Sequence, residues 1–180
     1  MRFLGNVQRL LEETRTTSTY KFALLLALAD LSVERGDDSG ASLSLSTDQI
    51  AAKFVIYYWQ HTFPFESTTG KLILRQNTDR PPRVLTDLSR ARREFGNSVG
   101  PPLGDRRLIS RVEQTVRNMP LRRLQRIGKA TFDFLYTYTA PGKEVELRPG
   151  VVFCFRRFHG LLQDLIRGAW LRFVRQLNAE

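Results

Sequence analysis

The residues best suited to chemistry in this chain are its arginines. Arg107, Arg111, Gln114 and Asn118 recur at i, i+4, i+7 and i+11, the spacing of one face of a helix. Arg106, Ser110 and Arg117 flank that face, and Arg122, Arg123, Arg126 and Lys129 follow it. Arg83, Arg90, Arg92 and Arg93 precede it on a second helical segment. A guanidinium is a planar, permanently charged fork that matches phosphate oxygens and guanine edges, and Gln and Asn amides match adenine. The chemistry on offer is recognition, in which some arginines hold a nucleic-acid backbone while one helix face reaches base edges. The competing reading of the same residues is a solvated charged face.

Other reactive side chains are few. The two histidines, His61 and His159, have no partner histidine at i+3 or i+4 and no neighbouring carboxylate pair. They read as a helix-end residue and a helix residue among arginines, with no metal site. Cys154 is the only cysteine, so no disulfide forms within the chain. Its apolar setting, VVFCF, raises a thiol pKa and suits a structural role. GxSxG, GxxxxGK[ST] and HExxH are absent from the sequence. The run Tyr57, Tyr58 and Trp59, with Phe63 and Phe65 after it, admits two readings. It is either core packing at helical spacing or a candidate pocket for an extruded base. No catalytic residue and no cofactor is expected.

Charge placement favours the recognition reading. Formal net charge is +10 over 180 residues, from 23 Arg and 5 Lys against 18 Asp+Glu. Residues 1–70 carry net −2, residues 71–180 net +12, and the stretch 75–129 alone net +9. Solubility does not require one sign to be concentrated in one region. A membrane surface also attracts such a chain, but no apolar run of about 18 residues occurs, so no membrane partner is expected. A short first segment without a long apolar core predicts a cytoplasmic protein.

The elements that must position these residues are mainly helical. Residues 3–13 form an amphipathic helix carrying Phe3, Leu4, Val7, Leu10 and Leu11. Thr16, Thr17, Ser18 and Thr19 offer N-cap oxygens to a helix that is apolar nearly all round and ends near Gly36. SLSLS (42–46) alternates as a strand. Ser46 and Gln49 make a capping box for a helix reaching His61. The segment 63–71 reads as a turn and 71–76 as a short strand or loop. Asp79 with Pro81 and Pro82 reads as the start of a helix stopping at Gly96. After a loop at 97–104, Asp105 caps a helix to Met119, and Pro120 interrupts it before one more turn. Residues 132–139 and 144–148, joined by APGK, predict a β-hairpin. A long helix then fills 151–177, with Phe158, Leu162, Leu165, Ala169, Phe173 and Leu177 inward. The expected fold is mainly α (α+β): one helical domain over 1–180 with a small sheet, similar to a winged helix, and a seam at 97–104.

Three segments carry a resemblance. TYKFALLLALADLSVE (19–34), IAAKFVIYYWQHTFPF (50–65) and RGAWLRFVRQLN (167–178) resemble the N-terminal region of bacterial HNH endonucleases of restriction and phage defence. In that family a Tyr-Lys helix rich in Leu and Ala comes first, here Tyr20-Lys21. A helix ending in aromatic-Trp before Pro-Phe comes second, here Trp59 and Pro64-Phe65. A Trp-x-x-Phe-Val-x-x-x-Asn helix precedes the nuclease module, here Trp170 to Asn178. The family's Cys-x-x-Cys ligands and Asp-His-(Phe/Tyr) base do not occur in these residues. The resemblance implies a target-recognition part that does not cut DNA by itself and works with an HNH nuclease module in cis or in trans.

The expected partner is double-stranded DNA, in modified or unmodified form. RNA binding within a larger defence complex is the second expectation. A protein-interaction scaffold exposing the aromatic face of the Trp170 helix is the third.

Overall fold

The computed structural model of the chain describes residues 2–13, 17–67, 70–96, 100–127 and 130–179. At its centre is α2 (Tyr20–Arg35). Twelve of its 16 residues are buried, so helices must surround it. α3 (Thr47–Trp59), α6 (Pro120–Arg123), α7 (Val151–Arg157) and α8 (His159–Leu177) all pack on it. α1 (Arg2–Glu13) adds Val7 and Leu10 to the same core. It is tied down where Lys21 Nζ donates to the Leu11 carbonyl at 2.8 Å.

In the Thr-Ser-Thr segment the cap oxygen is that of Ser18, which accepts from Tyr20 N at 3.4 Å, and not that of Thr19. Thr19 Oγ1 is turned across the core to the Tyr58 hydroxyl at 2.5 Å, and the Thr19 side chain makes no cap bond. A buried hydroxyl gains more from a buried partner than from a helix end that solvent can serve. Thr16 lies outside the described residues.

β1 (Leu43–Ser46) runs into α3 through the expected capping box, with Ser46 N donating to Gln49 Oε1 at 3.0 Å. The hairpin β6 (Tyr136–Thr137) and β7 (Glu144–Leu147) joins it, giving an antiparallel sheet of order β1-β7-β6. Leu45, Val145, Leu147 and Tyr136 point into the core. Only two residues of 132–139 pair as a strand, and the reason is Gln125. Its buried amide accepts from Leu135 N at 2.8 Å and donates to the Tyr136 carbonyl at 2.9 Å. It thus takes the place a further strand would fill.

Two local expectations fail for steric and packing reasons. Residues 63–71 are not a simple turn: β2 (Phe65–Ser67) pairs with β3 (Gly70–Leu72), Phe65 opposite Leu72. Asp79 does not start α4 (Arg83–Phe95). A residue preceding proline is pushed out of the α region, so Pro81-Pro82 keeps the chain extended until Arg83. Tyr20 Oη instead accepts from Val84 N at 3.2 Å. α4 ends at Gly96, whose φ of 81° suits only glycine.

α5 (Arg106–Asn118) begins as expected, with Asp105 Oδ1 accepting from Arg107 N and Leu108 N at 2.9 and 3.1 Å. After α6, β4 (Arg126–Ile127) and β5 (Ala130–Thr131) form a small hairpin that periodicity does not reveal. The C-terminal helix breaks at Phe158 into α7 and α8. The break rotates the inward stripe of α8 to Leu162, Ile166, Trp170 and Val174, while Leu165, Ala169 and Phe173 are only partly covered. The buried residues of all these elements form one cluster.

Candidate nucleic-acid interface

α5 lies on α3 and α4 through Leu108, Val112, Thr115 and Val116. That packing leaves Arg107, Ser110, Gln114 and Asn118 exposed, at i, i+3, i+7 and i+11. Arg106 is exposed beside them at the helix N-terminus. Arg111, which the spacing groups with this face, is instead half-buried between α4 and α5. Its Nε is 3.4 Å from Asp87 Oδ1, on a carboxylate that is itself buried. The Asp87 carboxylate buried between the helices draws the Arg111 guanidinium toward it, so Arg111, with 37 % of its side chain exposed, is only partly available to the free face. Arg117 bends away as well, its guanidinium donating to the Pro141 carbonyl in the turn between β6 and β7.

On α4 the apolar residues Val84, Leu88 and Ala91 face inward, and Arg83, Arg90 and Arg93 are exposed on the opposite side. Arg92 departs from the expected basic face. It is 6 % exposed, donates to Thr62 Oγ1 and to the Trp59 carbonyl at 2.5 and 2.8 Å, and its guanidinium lies over the rings of Trp59 and Phe63. Such a cation is a structural clamp.

Arg122, Arg123 and Arg126 are exposed, and Lys129 lies outside the described residues. Arg122 and Arg126 line a groove of about 500 Å³ between α6 and β6, with the hydroxyl-bearing Thr131, Thr137 and Thr139 on its walls. Arg83, Arg90, Arg93, Arg106, Arg107, Arg122, Arg123 and Arg126 make no side-chain ion pair with a described residue. All but Arg126, which lies in β4, are carried on helices that touch in sequence order, α4 on α5 and α5 on α6.

Tyr57, Tyr58 and Trp59 do not form a base pocket together. Consecutive helix residues point 100° apart, and the core takes two of the three. Tyr58 is fully buried between Thr19 and the rings of Tyr20, Phe54 and Trp170. Trp59 is 2 % exposed under Arg92. Tyr57 alone reaches a cavity, on the side of α3 that meets α8. The scaffold expectation also loses its exposed aromatic face: Trp170 is buried, stacked near Phe22 and His61.

A polar cluster escapes sequence reading altogether. Asp30 of α2 accepts from Tyr57 Oη at 2.6 Å, and from His159 and the Gln163 amide at 2.8 Å each. These hydrogen bonds hold its carboxyl below the usual range against the opposing effect of burial. His159 and Gln163 share a helix face at i and i+4, but their partner is more than 120 residues away, so no local signal marks it. Burial pushes the Cys154 thiol up, which disfavours the reactive thiolate. Among the described residues, no group of three His, Cys, Asp or Glu could hold a metal ion, and no helix is long and apolar enough to cross a membrane.

Comparison with protein-family models, with curated proteins and with solved structures finds no match to this chain.

Proposed function

We propose that this chain is a double-stranded-DNA recognition domain that reads its target with α5. One observation carries the reading: the exposed stripe Arg107, Ser110, Gln114 and Asn118 is accompanied by exposed arginines on α4 and α6, the helices that touch α5, and these have no ion-pair partner among the described residues. The connectivity supports it. β1 leads into α3, α5 packs across α3, and the β6–β7 hairpin returns to give the order β1-β7-β6. This resembles a winged helix enlarged by α4 and by the β2–β3 and β4–β5 hairpins, and in such an arrangement α5 would enter the major groove with the β6–β7 hairpin as its wing. Arg117 links the end of α5 to the turn of that hairpin, so helix and wing are held as one unit.

In this arrangement Arg107 and Gln114 address base edges, and Ser110 adds a hydroxyl between them. Arg83, Arg90 and Arg93 of α4, and Arg122, Arg123 and Arg126 after α5, hold phosphates. The resemblance of the three segments to restriction endonucleases assigns the domain to an HNH-type defence nuclease, whose cutting module acts in cis or in trans. The test is a binding titration against duplex DNA at several salt concentrations. Arg122→Ala with Arg126→Ala weakens all sequences alike and lowers the slope of log K against log salt by about 1 for each phosphate no longer neutralised. Arg107→Ala with Gln114→Ala lowers discrimination between preferred and non-preferred duplexes. Unchanged affinity and slope in both variants would refute the assignment. Equal or tighter binding of single strands or structured RNA at one salt concentration would move it to an RNA partner.

A further inference from the structure

A second site lies away from the basic helices. Tyr57 from the end of α3, His61 from the 3-10 turn that follows it, Trp170 and Leu171 from α8, and Leu74 line an open cavity of about 350 Å³, with Arg167 among the lining residues. No lining residue comes from α4, α5 or α6. The volume and the mostly aromatic and aliphatic walls are those of a small-ligand pocket.

The cavity is built by long-range hydrogen bonds. The segment carrying Leu74 is fastened to α8, with Arg75 N donating to Asn178 Oδ1 at 2.9 Å and Asn178 Nδ2 to the Arg75 carbonyl at 3.1 Å. Gln76, 1 % exposed, accepts from Trp170 Nε1 at 2.9 Å. An indole N–H can only donate, so that contact is made by Gln76 Oε1, and Gln76 Nε2 is left to donate to His61 Nδ1 at 3.2 Å. His61 Nδ1 therefore accepts, and the neutral ring carries its proton on Nε2. Nε2 has no described protein partner and is open to solvent.

All but one of the polar atoms of the three rings are thus accounted for. Trp170 Nε1 and His61 Nδ1 are spent on Gln76, and the Tyr57 hydroxyl on Asp30. What remains facing the cavity is mainly the Tyr57 ring and the aliphatic carbon of Leu74, Leu171 and Val174, since Trp170 is 7 % exposed and lies against Phe22 and His61. The polar groups left free are His61 Nε2–H and the Arg167 guanidinium, which makes no ion pair with a described residue. Both are donors. We infer that this cavity is a binding site for a small flat aromatic anion, its ring against Tyr57, Leu74 and Leu171 and its charged group on Arg167.

Isothermal calorimetry on the full chain at low salt tests this with 1-naphthoate and its uncharged analogue 1-naphthamide. One equivalent of 1-naphthoate binds saturably, about fivefold or more tighter than 1-naphthamide, the size expected for one solvent-facing ion pair. Arg167→Gln removes that preference and leaves 1-naphthamide within about twofold. Leu171→Glu, at a position 60 % exposed and so free of folding consequences, repels the anion by a similar factor. Absence of saturable 1-naphthoate binding overturns the site, and equal binding of both compounds overturns its anionic character. Arg107→Ala leaves 1-naphthoate binding unchanged, so this site stands or falls separately from the DNA surface.

Discussion

Trp170 Nε1 and Gln76 Oε1 meet at 2.9 Å across 94 residues of chain, and this one bond fixes the proton position on His61. Gln76→Leu leaves a buried indole N–H without a partner, which costs about 1–3 kcal/mol. The loss is read from the urea midpoint with an unchanged m-value. Gln76→Glu keeps an acceptor for Trp170 but places a carboxylate beside His61. The imidazole pKa then rises, and a proton NMR titration of the ring measures the shift.

His61 gives a pH dependence of defined sign. Burial lowers its pKa below the ordinary value. In the unfolded chain the ring takes up a proton near pH ~6.5, whereas the folded chain resists doing so. The unfolded state therefore binds more protons, and stability falls as the pH drops through that region. His61→Phe shows a smaller loss of stability between pH 7.5 and 5 than the parent chain, measured by urea unfolding at each pH. An equal or larger loss would contradict this account.

Lys21 acts on the alkaline side. Burial lowers its pKa to about 8. Between that value and the unfolded value near ~10.4 the unfolded state holds the extra proton, so stability increases with rising pH. Tyr20, raised to about 12, opposes this only above the ordinary tyrosine pKa of ~10. Thermal midpoints from pH 7.5 to 9.5 rise for the parent chain and stay level for Lys21→Met.

Arg92 and Arg107 separate folding from binding. Arg92→Ala removes two hydrogen bonds and the packing against Trp59 and Phe63, which costs about 2–4 kcal/mol of stability. Its effect on the salt slope of DNA binding is nil where the variant is folded. Arg107→Ala does the reverse, because an exposed arginine with no acidic partner among the described residues changes stability by only about 0.5 kcal/mol. Calorimetric melting and a DNA titration on the same two variants check both statements.

Much of the helical frame was legible in the amino-acid order, because its signals are local. The apolar circumference of α2, the capping box of Ser46 and Gln49, the Asp105 cap and the stop at Gly96 act within a few residues of themselves. Charge placement also determined where the basic helices would fall. The stripe of α5 was legible in outline, because its apolar face prescribes its opposite.

Tertiary structure decided which charges and rings remain available. Arg92 and Arg111 are the same residue type at the same helical spacing as their exposed neighbours, and only the approach of Trp59 and Phe63 withdraws Arg92, and that of Asp87 withdraws Arg111 in part. Tyr58 and Trp59 went into the core, and Tyr57 to the α8 side, because α3 is covered from more than one direction. The Asp30 cluster and the cavity beside Trp170 join residues roughly 100 positions apart, where no periodicity reaches. Burial of a polar group demands a partner, and which partner arrives depends on how the helices pack.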